Sequence, residues 1–255
     1  MFKRSLVLVG SVAVVSALAA THGDKGHPGP HWTYEGHEGP EHWGDLDPSF
    51  KDCRLGHLQS PIDIPAATIH PTPLDPIHFE YKAVPLHIVD NGHTVMATYP
   101  PGSVMRVGSA EYEVQQVHFH EPSEEAIDGK HFPLVAHIVH KDKDGHLAVV
   151  AVLFEEGAAS PGLAVAFGHM PAPSGTEEAP AGTKFNAKLL LPKQTSYFTY
   201  QGSLTTPPCT EGVTWYVLRT PATASAEQIA AFGKRYSNDA RPVQPLDGRE
   251  IRASE

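Results

Sequence analysis

His118, Phe119 and His120 stand in a run whose apolar and polar residues alternate. In an extended strand that period of two sends both imidazoles to one face, together with Gln116 and Val114. With 17 His in 255 residues, a His-x-His triplet arises by chance about once in a chain of this size, so the pair alone specifies nothing. The third candidate is His137, flanked on its own face by Val135 and Val139, where an imidazole without a ligand would be poorly satisfied. If the two strands pair, three neutral imidazoles converge with no fourth protein ligand. Three His and one open position is the pattern of a catalytic zinc, whereas a structural zinc closes all four.

Strands must position these rings, and the chain supplies them. Short apolar runs at 77–81, 86–89, 94–99, 112–120, 134–140, 147–154 and 213–219 are each bounded by Gly, Pro, Asn or Asp, which predicts a mainly antiparallel sheet. Ser225 with Gln228 three residues on forms a capping box that predicts a helix to about Tyr236. The stretch 171–182, rich in Pro, Gly, Glu and Ala, reads as a surface loop. An irregular arm covers 21–48, where His22, His27, His31, His37 and His42 are interleaved with Trp32, Tyr34 and Trp43. Its aromatics are expected to pin it; its His residues read as a solvated loop, with loose metal capture as the alternative. The expected fold class is α+β: a single domain on a large, mostly antiparallel, twisted central β-sheet with short peripheral helices.

Composition narrows the function classes. Hydrophobic residues at 40%, charged residues at 19%, and 22 Gly with 24 Pro describe a loop-rich globular protein and exclude collagen, coiled coil and wholesale disorder. The charge, 19 minus 29, is -10, and no Lys/Arg track offers a path for nucleic acid. Residues 1–20 read as an export signal: Lys3 and Arg4 precede an apolar stretch, 6–19, that closes on Ala17, Leu18 and Ala19. That stretch is shorter than the roughly 20 residues a membrane span needs, and no second segment could cross. The expected product is a periplasmic or secreted domain, 21–255, of charge 17 minus 29, or -12. Cys53 and Cys209 are the two cysteines, read in an oxidising compartment as one disulfide; two zinc thiolates are the alternative, without any Cys-x-x-Cys spacing to favour it.

Residues 202–215, GSLTTPPCTEGVTW, resemble the substrate-pocket signature of the alpha-class carbonic anhydrases. The resemblance extends to Gln59, Ser60, Pro61 and Ile62, to Asn91, Gly92 and His93, to 116–124 and to 241–246, all in the family's order. The paired Cys and the export signal are similar to its bacterial, periplasmic branch. The resemblance implies Zn2+ on His118, His120 and His137, and reversible hydration of carbon dioxide to bicarbonate and a proton by hydroxide generated at the zinc. It implies that Thr205 and Glu124 orient that hydroxide. Val139, Val149, Leu204, Thr206, Val213 and Trp215 would form the substrate pocket, and Gln116 would be the acceptor for His118. His93 would be the proton shuttle, with Tyr34 in its water network. A homodimer is left open. A catalytically silent binding module on the same fold is the second function class, and a metal buffer built on the His-rich arm is the third. The chain departs from the family it resembles at two positions. Its members usually carry His directly after the Glu matching Glu124, and a Glu two residues before the third zinc His, where this chain has Glu125 and Val135. Because metal-bound imidazoles almost always have an acceptor for their second ring N–H, Glu125 is expected to reach His137 in place of the missing carboxylate; a backbone carbonyl or buried water is the alternative.

Overall fold

The alternating runs assemble into one mixed sheet, 13-stranded among the described residues, in a computed structural model that describes residues 30–173 and 175–255. Eight of its strands are Ile88–Asp90 (β1), Val95–Thr98 (β2), Ala110–His120 (β3), Leu134–Lys141 (β4), Leu147–Glu156 (β5), Tyr197–Ser203 (β6), Glu211–Leu218 (β7) and Arg252–Ser254 (β8). Their order across the sheet is β1-β2-β3-β4-β5-β7-β6-β8. Neighbours are antiparallel except β5 and β7, which run parallel. Residues His31–Glu255 form one compact unit. The expected export signal, with His22 and His27, lies outside the described residues. No helix among the described residues is long and apolar enough to cross a membrane.

The sheet separates two apolar layers. On one face Val117, Phe119, Ala136, Ile138, Val150 and Val152 pack beneath helices Pro161–Phe167 (α1) and Ala226–Gly233 (α2). The Phe119 ring meets Phe167 edge-on at 5.0 Å and Phe232 at 6.1 Å, and truncating such a ring to Ala costs about 3–5 kcal/mol. The capping box of α2 is present with both reciprocal hydrogen bonds, and the helix ends at Gly233 rather than Tyr236. On the opposite face Val135, Val139, Val149, Ala151, Val213 and Trp215 form a second buried layer. His118, His120 and His137 open onto this side.

One expected face assignment is corrected. Val114 does not share the face of Gln116, His118 and His120. The β3–β4 register pairs Val139 with Gln116 but His140 with Val114, so Gln115 is an extra residue, a bulge that reverses the alternation. Val114 therefore joins the helix-covered core. His140, one residue past Val139, is fully buried on that same side, where the Tyr81 hydroxyl donates to its Nε2 at 2.7 Å and its Nδ1 faces the Ala148 carbonyl at 3.3 Å. Burial pushes its pKa from the ordinary 6.5 to about 4. It is a neutral core residue.

Cys53 and Cys209 are joined in a disulfide across 156 residues of sequence, and no cysteine is free. The bridge sits in a small cluster with Trp43 and Phe50, against which Trp32 and Tyr34 pack. Those aromatics hold the arm down as expected: Trp32, Tyr34 and Trp43 meet edge-on at 5.1–5.7 Å. Of the described residues of the 171–182 stretch, all but the buried Pro171 and the partly buried Pro180 are exposed, and one short strand, Thr176–Glu178, adds to the outer edge of β1.

Candidate active site

Pairing of β3 with β4 sets His137 directly opposite His118, while the two-residue period carries His120 onto the same face. One ligand atom from each of the three imidazoles lies within 4.8 Å of the others. The rings sit 5.0–5.2 Å apart between centroids.

Each ring has its outer nitrogen committed. His118 donates from Nδ1 to Gln116 Oε1 at 2.8 Å, the acceptor expected for it. His120 donates from Nδ1 to the backbone carbonyl of Asp239 at 2.8 Å. His137 uses the other nitrogen: its Nε2 faces Glu125 Oε1 at 3.0 Å and Oε2 at 3.3 Å. The inner nitrogens are therefore Nε2, Nε2 and Nδ1. His120 Nε2 is buried without any hydrogen-bond partner. A buried, unpaired imidazole nitrogen is costly unless something takes its lone pair, so the donor set fits a divalent cation of the zinc type. Burial, with His120 and His137 nearby, holds His118 well below the ordinary imidazole range, in the neutral form that binds metal. Burial also pulls His120 down, but the carboxylates of Glu124 and Asp239 outweigh it and leave it raised.

Glu124 and Thr205 are both buried, at 0% and 6% exposure. No hydrogen bond joins them. Glu124 Oε1 accepts the Arg241 amide N–H at 2.9 Å, while Oε2 has no hydrogen-bond partner and lies 3.6 Å from His120 Nε2 and 3.8 Å from His137 Nδ1. The expected pocket wall is brought together. Val139 pairs across the strands with Val149, Val149 pairs with Trp215, and the Trp215 ring stands edge-on to His137 at 5.0 Å. Val213 and the partly buried Leu204 belong to the same apolar cluster. Thr206 is half-buried, and its carbonyl accepts the Cys209 N–H at 2.9 Å.

His93 occupies the turn between β1 and β2. The Asn91 side chain accepts the N–H of both His93 and Thr94 at 2.9 Å, and Gly92 takes a φ of +89°, which a side chain would oppose. Three residues on, Met96 lies opposite His118. The His93 ring stacks on Trp32 with centroids 3.6 Å apart and planes 7° from parallel. Burial, and secondarily the charge of His31, lower its pKa below 6.5. The Tyr34 hydroxyl is buried without a partner, and burial followed by the charges of Glu124 and Asp239 keeps it protonated.

Two supports escape sequence reasoning. Asp239 holds His120 through its backbone carbonyl, and its Oδ1 accepts the Glu121 amide at 2.8 Å. Arg241, 1% exposed, spans Gln59 Oε1 at 2.9 Å, the Ser60 carbonyl at 2.7 Å and the Cys53 carbonyl at 3.0 Å. A backbone carbonyl carries no side-chain signature, and Arg241 stands out in the sequence only as the first residue of the 241–246 motif, which says nothing of its burial beside Gln59 and Ser60.

Three convergent imidazoles on adjacent strands of a mixed sheet, beside an apolar wall, form a three-His site of the kind that would leave a position open on a bound metal. Residues 38–255 match the family model described as eukaryotic-type carbonic anhydrase. A carbonic anhydrase of Pectobacterium carotovorum is 42% identical over 244 residues, covering 95% of this chain and 98% of that one. One from Nostoc sp. is 41% identical over 223 residues, covering 86% and 84%. Among solved structures, the alpha-carbonic anhydrase of Thermovibrio ammonificans, in complex with the inhibitor sulfanilamide, superposes with a TM-score of 0.83 at 40% identity, covering 88% of this chain and 99% of that one. The chain belongs to the alpha-class carbonic anhydrase family, and its enzyme class is carbonic anhydrase.

Proposed function

We propose that the chain interconverts carbon dioxide and bicarbonate with Zn2+ held by His118 Nε2, His120 Nε2 and His137 Nδ1. The observation that carries this reading is the convergence of three inner imidazole nitrogens whose outer nitrogens are all committed. When bound there, Zn2+ would supply Lewis acidity that brings the pKa of a water to about 7, the magnitude known for carbonic anhydrases.

The remaining work falls to the protein. Val139, Val149, Leu204, Val213 and Trp215 offer an apolar surface to carbon dioxide and exclude competing water; Thr206 lines the rim. With the metal in place, Thr205 would accept a hydrogen bond from the attacking oxygen and turn its own proton to Glu124 Oε2, a contact not made in the present geometry but open to it because that oxygen has no hydrogen-bond partner. That pairing aims the oxygen lone pair at the carbon. His93 takes the proton released in each cycle at a ring nitrogen and passes it to buffer. A pKa below 6.5 favours that release. Tyr34 stays protonated and orders water between the two. Residues 21–255 act as one exported domain freed of a signal over 1–20, periplasmic or secreted, consistent with the disulfide.

Stopped-flow mixing with carbon dioxide tests the reading: zinc-loaded protein acidifies the solution, and a sulfonamide abolishes the signal. Zinc-loaded protein that fails to accelerate acidification overturns it.

A further inference from the structure

The three metal-facing rings are held from behind in three different ways. His118 is held from its own strand, by the residue two positions earlier, Gln116. His120 is held by a distant backbone carbonyl. At His137 the position two residues earlier is Val135, fully buried, facing His120 in the strand register and unable to accept a hydrogen bond. The acceptor comes instead from Glu125, whose carboxylate is 0% exposed and lies 3.0 and 3.3 Å from His137 Nε2.

The backbone makes this reach possible. Two consecutive residues of a strand point to opposite faces, so Glu124 and Glu125 could not both address one ring from regular β structure. The segment between His120 and Ala126 is irregular: Ser123 exchanges hydrogen bonds with Phe132 through its amide and its hydroxyl oxygen, and the Ser123 hydroxyl donates to the Glu125 carbonyl at 2.6 Å. Both carboxylates then flank His137, with Glu124 Oε2 3.8 Å from Nδ1 and Glu125 Oε1 3.0 Å from Nε2.

We propose that Glu125 is the positioning residue of His137: it accepts the Nε2–H, fixes the tautomer that turns the Nδ1 lone pair inward, and by its charge makes the ring a stronger donor. This rests on the zinc reading above. Two consequences of opposite sign follow. A carboxylate buried this deeply is balanced best when a dication sits on the far side of the ring, so its charge favours the metal-bound protein. In the metal-free protein the same buried charge is a burden.

The test uses the full-length protein, prepared metal-free and then loaded with zinc alone. Competition with a chelator should show Glu125→Gln, which keeps an acceptor and drops the charge, binding zinc roughly 10-fold to 100-fold more weakly than the parent. The thermal midpoint of the metal-free variant should be equal to the parent's or higher. Introducing Val135→Glu into the Glu125→Gln background supplies a charged acceptor from His137's own strand, the position from which Gln116 offers its amide oxygen to His118, and should recover part of the loss. Unchanged zinc affinity in Glu125→Gln overturns the proposal, as does a loss matched by a falling metal-free midpoint, which is what a packing role would give. A folded double variant no tighter than Glu125→Gln overturns it as well. A parent chain that binds no stoichiometric zinc defeats the underlying site reading, and that failure is recognised before any variant is made.

Discussion

Breaking the Cys53–Cys209 bond should lower the unfolding midpoint of the protein by about 10 °C. The bridge closes a loop of 156 residues. The chain-entropy relation, -2.1 minus 1.5R ln n, gives about -17 cal/mol/K for such a loop, or about 5 kcal/mol at 25 °C, an upper figure beside the usual 2–4 kcal/mol. The native ends stay held without the bond: the Cys53 carbonyl accepts from Arg241, and the Cys209 carbonyl accepts from Gln59 Nε2 at 3.1 Å. The effect is therefore borne by the unfolded chain, and about 3 kcal/mol at 2–4 °C per kcal/mol for a chain of this size yields the stated shift. Calorimetry on the oxidised protein and on the same sample under reductant, with thiols counted by titration, measures it. Because the Cys209 amide remains bonded to the Thr206 carbonyl, hydration activity at 25 °C should persist in the reduced protein. Two titrated thiols together with a midpoint within about 2 °C of the oxidised form would refute the reasoning.

His118→Ala, His120→Ala and His137→Ala should each lose bound zinc and activity in parallel, seen by elemental analysis and stopped-flow; full zinc with full activity in all three would sink the ligand assignment. His93→Ala should keep zinc yet turn over more slowly, with kcat restored by added imidazole and kcat/KM little changed; insensitivity to buffer concentration would remove His93 from proton transfer. His140, held near pKa 4 against an ordinary 6.5, takes no proton in the folded state where the unfolded chain does. Stability is therefore unaffected by this group above pH 6.5 and falls as pH drops from 6.5 toward 4, by roughly 2 kcal/mol at pH 5. Urea unfolding at pH 7 and pH 5 should show that the parent loses more stability than His140→Gln; equal losses contradict the assignment.

Alternation made the metal face legible, because β3 and β4 each bury one side against apolar residues and turn the other to the site. The same rule misplaced Val114: one inserted residue, Gln115, reverses every side chain before it, and no residue type announces a bulge. Strand β6, reading Tyr-Phe-Thr-Tyr-Gln-Gly-Ser, is buried on both sides over nearly its whole length and so shows no period at all. Helix α1 has seven residues, too few for a helical period to stand out. At the site, side chains acting on side chains were foreseeable from residue type, as with Gln116 on His118 and Glu125 on His137. The Asp239 carbonyl was not. Glu124 and Thr205 are both buried at the site, yet no hydrogen bond joins them: Glu124 Oε2 lies 3.6 Å from His120 Nε2 and 3.8 Å from His137 Nδ1, and residue type alone does not set that orientation.

The hydrogen bond from His120 to Asp239 also has a place in time. Strands β3 and β4 form a local hairpin that carries all three imidazoles, and Gln116 and Glu125 are made with it. The acceptor for His120 lies 119 residues further along. The hairpin is complete at Lys141, so a chain that emerges N-terminus first at about 5–20 residues per second exposes it roughly 5–20 s before Asp239 appears. Over that interval His118 and His137 have their orienting partners while His120 is free to rotate, so the ligand set is synthesised early and its last ring is locked only when the chain is nearly complete.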